Sequence, residues 1–214
     1  MSDGPTLPPG IRRAAGLATA LAVAVLLGAT NDLSILVELD TYRSQALGLK
    51  ATEPMVQLSM EVARTQLQLM DNHRELSIGV LFLLSLATGF VFAAALRMLR
   101  PRGMPLSGIR HLLGRAAVAA AVFRTLDGAQ EAALVRKAAL LVAGRFPAST
   151  AAELQAAEAT VELLRQHMGW LLPAVSVAKT AVLAAGFAAV AHYFQAASVQ
   201  RAVEAADRAL PADE

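Results

Sequence analysis

The stretch "LSIGVLFLLSLATGFVFAAAL", Leu76 to Leu96, contains no charged side chain and is bounded by Glu75 and Arg97. A helix of roughly 20 apolar residues is long enough to cross the ~30 Å hydrocarbon core of a bilayer. The composition agrees, because 56% of the 214 residues are hydrophobic and only 17% are charged, where about 25% is usual for soluble domains. We therefore predict an all-α integral membrane protein.

Two further apolar blocks flank this one. Residues 14–31, "AAGLATALAVAVLLGATN", follow the pair Arg12 and Arg13, and residues 169–198 contain a single charge, Lys179. The first block also fits a cleaved signal peptide, but its small residues are poorly placed for cleavage, so an uncleaved anchor is preferred. The sequence thus predicts three transmembrane helices, at 14–31, 76–96 and 169–198.

The orientation follows from the basic residues near these spans. Residues 32–75 hold four basic and seven acidic side chains, whereas five arginines follow the second span in quick succession: Arg97, Arg100, Arg102, Arg110 and Arg115. Cytoplasmic loops are enriched in Lys and Arg. We therefore expect residues 1–13 and 97–168 inside, and residues 32–75 and 199–214 outside. Arg outnumbers Lys and alanine is abundant, which favours a bacterial protein and hence the inner (cytoplasmic) membrane.

Both segments between the spans are predicted to be helical. Residues 32–75 form an outer (periplasmic) helical segment with a break near Pro54. Residues 97–168 form a cytoplasmic helix pair, in which Pro147 ends the first helix and Thr150 with Glu153 begins the second, which ends near Gly169. A fourth crossing is not expected here, because the uncharged run from Ala116 to Phe123 is too short and basic residues follow it: Arg124, Arg136 and Lys137.

Lys179 is the candidate intramembrane contact, because a charge within a span is costly and is commonly functional. It faces a neighbouring span, a polar cavity or a partner's carboxylate, or else it snorkels to the inner headgroups. No acidic residue of this chain lies within a predicted span, so an internal salt bridge is not expected. Ser176 and Thr180 belong to a face of small residues that favours close helix packing in lipid.

Motifs for other chemistry are missing from the sequence. There is no cysteine, no phosphate-binding loop, no nucleophile elbow and no metal-ligand spacing among the four histidines. We therefore predict no catalytic residue, no cofactor, no metal site and no nucleic-acid partner. The five arginines after the second span are possible contacts for anionic lipid, although the positive-inside bias alone explains them.

Three functions remain open from the sequence. The first is a non-catalytic accessory or scaffold subunit, which contacts membrane lipids and associates with a membrane-protein partner or a second copy. The second is a signalling anchor without its own output domain. The third is one subunit of a small oligomeric transporter or channel, with Lys179 lining an anion pathway.

Overall fold

A computed structural model describes residues 7–48, 60, 63–64, 67–100, 105–150 and 158–209. Of these residues, 94% are helical and none forms a strand, so the predicted all-α fold is confirmed. The helices are α1 (Pro9–Val37), α2 (Leu39–Gly48), α3 (Arg74–Leu99), α4 (Leu106–Thr150), α5 (Glu158–Gln195) and α6 (Ala197–Arg208).

Four of these helices contain segments that are long and apolar enough to cross a membrane, which indicates a membrane protein. The segments are Pro9–Val37, Arg74–Leu99, Leu106–Leu140 and Trp170–Gln195. The segments of α1, α3 and α5 coincide with the three predicted spans. The segment in α4 differs from the sequence prediction, which expected no crossing there because the run from Ala116 to Phe123 is short and charged residues follow it.

Two predicted helix ends are wrong. Helix α4 runs past Pro147 to Thr150, and α5 runs without a break through Gly169 and Pro173. A proline removes one backbone hydrogen bond and its ring crowds the carbonyl four residues earlier. At Pro173 that carbonyl belongs to Gly169, whose backbone has more freedom to adjust than that of any other residue. Glu153, half of the predicted capping box, and the break near Pro54 lie outside the described residues.

The chain divides into two compact units. Unit 1 comprises residues 1–31, 80–125 and 181–214, and unit 2 comprises residues 32–79 and 126–180. In unit 1, α1 buries a row of alanines, and the side chains of Phe187 and Phe194 on α5 are fully enclosed. A Cβ added to Gly186 of α5 would lie 3.0 Å from Leu21 of α1. Small residues on both helices thus allow their backbones to approach closely.

Helix α6 packs into unit 1 through its apolar side, formed by Val199, Val203 and Ala206. The Asp207 carboxylate accepts hydrogen bonds from the backbone N–H groups of Leu106, at 2.6 Å, and Ser107, at 2.9 Å. The first N–H groups of a helix have no carbonyl partner within the helix, and a negative charge is favourable at this end. Asp207 supplies both a hydrogen-bond acceptor and a negative charge at the start of α4. This contact joins the tail directly to the start of α4.

In unit 2, a basic side chain connects three elements. Arg74, the first residue of α3, lies 3.0 Å from the Asp40 carboxylate on α2 and donates a 2.9 Å hydrogen bond to the carbonyl of Val37, the last residue of α1. The Ser77 hydroxyl of α3 donates a 3.2 Å hydrogen bond to Gln130 Oε1 of α4. These contacts fix the start of α3 against its neighbours.

Candidate functional site

Lys179 has a carboxylate partner. Its Nζ lies 3.0 Å from Glu131 Oε1 on α4 and donates a hydrogen bond to it. The sequence argument against an internal salt bridge was therefore wrong. It had assigned Glu131 to a cytoplasmic helix pair, whereas the structure places Glu131 in a helix that runs beside α5.

A glycine allows the two helices to come this close. A Cβ added to Gly128 of α4 would lie 2.6 Å from the Cβ of Thr180 and would also clash with the hydroxyl and methyl groups of that side chain. Gly128 precedes Glu131 by three residues, so the two positions share one face of α4. The same face therefore supplies both the close backbone approach and the carboxylate.

Ser176 and Thr180 lie on the inner side of α5. Their side chains are buried, with relative exposures of 6% and 7%, and neither hydroxyl has a hydrogen-bond partner among the described residues. The prediction that these residues pack against another helix is consistent with this burial. Lys179 instead points outward, and 54% of its side chain is exposed.

Ser77, Gln130, Glu131 and Lys179 together form what we call the polar layer, which joins α3, α4 and α5 within unit 2. Ser77 is the second residue of the apolar block that begins at Leu76. Because Ser77 contacts Gln130 and the adjacent Glu131 contacts Lys179, the polar layer is level with the beginning of that block. Lys179 is thus level with one end of the α3 span, not with its middle.

The arginines after the second span separate into two groups. Arg110 is only 3% exposed; its Nη1 donates a 2.8 Å hydrogen bond to the carbonyl of Phe194, and its Nη2 lies 3.0 Å from His111 Nε2. It therefore satisfies a carbonyl in the last turn of α5, a favourable place for a cation. Arg97, Arg100 and Arg115 are exposed, and Arg102 lies outside the described residues.

Sequence reasoning missed Asp207 and Gly128. Nothing near Asp207 in the sequence indicates that it meets the start of α4, about 100 positions earlier. The Gly128–Glu131 spacing was visible, but it becomes informative only once α4 is known to pack beside α5. Among the described residues, no group of three or more His, Cys, Asp or Glu side chains is placed to hold a metal ion.

Comparisons with known proteins gave no relatives. No protein-family model matches the sequence, no curated protein is similar to it, and no solved structure matches its fold.

Proposed function

We propose that this chain is a non-catalytic integral membrane subunit, an accessory or scaffold protein that associates with other membrane helices. The observation that carries this proposal is the large apolar surface on the outer faces of the long helices. Leu17 and Val182 are each 71% exposed, and Phe82 is 58% exposed. In water, leaving one such side chain exposed forgoes about 1.5–3 kcal/mol of burial free energy. We therefore expect these apolar faces to contact lipid chains and partner helices.

We further propose four crossings in place of the three predicted from the sequence. The burial of Arg110 supports this, because a charge that faces the bundle interior and is hydrogen-bonded need not face lipid. The contact of Asp207 with Leu106 and Ser107 supports it as well. With four crossings, both α4 and α5 cross the membrane between Leu106 and the tail, so the tail returns to the side on which α4 starts.

The charge distribution supports an orientation for four crossings. Arg12 and Arg13 precede the first span, Arg97 and Arg100 follow the second, and Arg201 and Arg208 follow the last. With both termini in the cytoplasm, all six are on the inner side, as the positive-inside bias requires. The acid-rich residues 32–75 are then outside, and so is the connection between α4 and α5. A bacterial inner membrane remains the proposed location.

The partner is a membrane protein or a second copy of this chain. On the outward side of α5, Ala181, Ala185 and Ala189 are all exposed. Small residues four apart let a second helix approach closely in lipid, where association depends on van der Waals packing and not on the hydrophobic effect. This face is therefore the proposed contact for a partner helix.

Site-specific photocrosslinking in native membranes tests the proposed association. A photoreactive phenylalanine analogue at Val182, on the exposed face, is expected to give a protein adduct of defined mass. The same analogue at Phe187 is the matched control, because this residue is on the same helix but fully enclosed; it should crosslink only within the chain. If the analogue at Val182 yields lipid adducts alone, the accessory role is wrong.

A further inference from the structure

Six exposed arginines belong to segments that meet at one end of unit 1. We call this set the basic end: Arg12, Arg13, Arg97, Arg100, Arg201 and Arg208. Arg12 and Arg13 are at the start of α1, and Arg201 and Arg208 are on α6. Arg97 is in the last turn of α3, and Arg100 follows the end of that helix.

Three contacts bring these segments together. A Cβ added to Gly10 at the start of α1 would lie 3.4 Å from the Tyr193 hydroxyl near the end of α5. Arg110 in the second turn of α4 binds the Phe194 carbonyl of α5, and Asp207 of α6 caps the first residues of α4. Only five residues connect Arg100 to Leu106, so the end of α3 is within about 20 Å of the start of α4.

The positive charges of the basic end are not neutralised by the described carboxylates. Among the described residues, none of the six forms an ion pair. The two described carboxylates nearby are already engaged, because Asp207 caps α4 and Glu204 accepts a 2.8 Å hydrogen bond from Gln200. Helix α6 buries Val199, Val203 and Ala206, which leaves Arg201 and Arg208 on its outer side.

We propose that the basic end binds the headgroups of anionic phospholipids on the cytoplasmic leaflet, so that the chain prefers a negatively charged membrane to a zwitterionic one. This inference rests on the proposed membrane insertion. A guanidinium group matches a phosphate through paired N–H donors, and each basic residue near an anionic surface strengthens binding by about fivefold. Arg110 is not part of this surface, because its guanidinium is buried and already bonded.

The test compares lipids added to the full-length chain in a neutral detergent. Phosphatidylglycerol is expected to raise the midpoint of thermal unfolding by on the order of 5 °C more than phosphatidylcholine does. The difference should shrink at high salt, because exposed charges are screened. Inorganic phosphate at the same concentration should give no comparable rise, which separates a lipid surface from a free anion.

Two matched double variants assign the effect to the basic end. Arg201→Gln with Arg208→Gln removes two charges from the basic end, and Arg136→Gln with Lys137→Gln removes two exposed charges from α4 in unit 2. The first pair should lose a large part of the phosphatidylglycerol effect, and the second should keep it. If the first pair fails to fold, Arg12→Gln with Arg13→Gln tests the same prediction on α1.

The inference is overturned by equal shifts with the two lipids, by an equal shift with inorganic phosphate, or by equal losses in the two double variants. A chain that does not partition into membranes at all would overturn both this inference and the proposed function. Retained lipid preference without protein crosslinks at Val182 would remove only the accessory role.

Discussion

The two units of this protein have opposite charge balances. Unit 1 contains ten basic and five acidic residues, and unit 2 contains nine basic and twelve acidic ones, so their net charges are +5 and −3, which together give the chain's +2. In unit 1, the two described carboxylates are both on α6. In unit 2, carboxylates of α2 and α4 pair with Arg74 and Lys179.

The contacts between helices differ between the two units in the same way. The long helices of unit 1 pack through alanines, enclosed phenylalanines and close glycine contacts, and the polar contacts of Arg110 and Asp207 are at helix ends. Unit 2 adds ion pairs and a side-chain hydrogen bond between helices. Apolar packing with satisfied helix ends suits hydrocarbon, whereas partly exposed ion pairs suit water or the headgroup region.

The largest expected effect concerns the close approach of α4 and α5 in unit 2. Gly128→Ala should lower stability by about 1–3 kcal/mol, because the new methyl group overlaps the Thr180 side chain. Gly79→Ala is the matched control on α3, since its Cβ would meet nothing within 4 Å, and it should gain up to about 1 kcal/mol of helix propensity. Thermal unfolding in mild detergent measures both. Equal midpoints would show that α4 and α5 are not in close contact at Gly128.

The second effect concerns the cap on α4 in unit 1. Asp207→Ala should cost about 0.5–2 kcal/mol, because it leaves the N–H groups of Leu106 and Ser107 without their carboxylate partner. Glu204→Ala removes from the same helix a carboxylate that, among the described residues, accepts a hydrogen bond from Gln200 on α6 itself, and it should cost less than about 0.5 kcal/mol. Chemical or thermal unfolding of the two variants gives the comparison. An Asp207 variant no weaker than the Glu204 variant would speak against the cap.

The smallest effect concerns the ion pairs of unit 2. A double-mutant cycle with Lys179→Met and Glu131→Gln should give a coupling free energy of about 0.5–1 kcal/mol, because both side chains are partly exposed. The Arg74–Asp40 pair, in which 76% of the Asp40 side chain is exposed, should couple no more strongly. A coupling of several kcal/mol for Lys179 and Glu131 would place this pair deep in hydrocarbon and not level with the end of the α3 apolar block.

Much of the fold was predictable from uncharged runs. The segments of α1, α3 and α5 coincide with the three predicted spans, because hydropathy depends on composition within one helix and needs no knowledge of its neighbours. Helix α4 was not predicted as a span. Its charges lie on both sides of a short apolar run, and single-sequence reasoning could not know that Arg110 is buried against the end of α5.

The candidate site was predictable only in part. Lys179, Ser176 and Thr180 were singled out from the sequence, since a charge and small residues within an apolar helix are unusual. The partner Glu131 could not be found, because its pairing depends on α4 lying beside α5. The burial of Arg110 was not predictable for the same reason: burial is a tertiary property that the spacing of arginines does not encode.

Single-cysteine labelling in intact cells tests the four-crossing arrangement most directly, and the chain's lack of cysteine gives a clean background. Thr150→Cys, at the end of α4, and Ser198→Cys, on the exposed side of α6, are treated with a membrane-impermeant maleimide. With four crossings and both termini in the cytoplasm, Thr150→Cys is labelled from outside and Ser198→Cys only after the cells are broken. The reverse pattern would restore three crossings and contradict the arrangement proposed here.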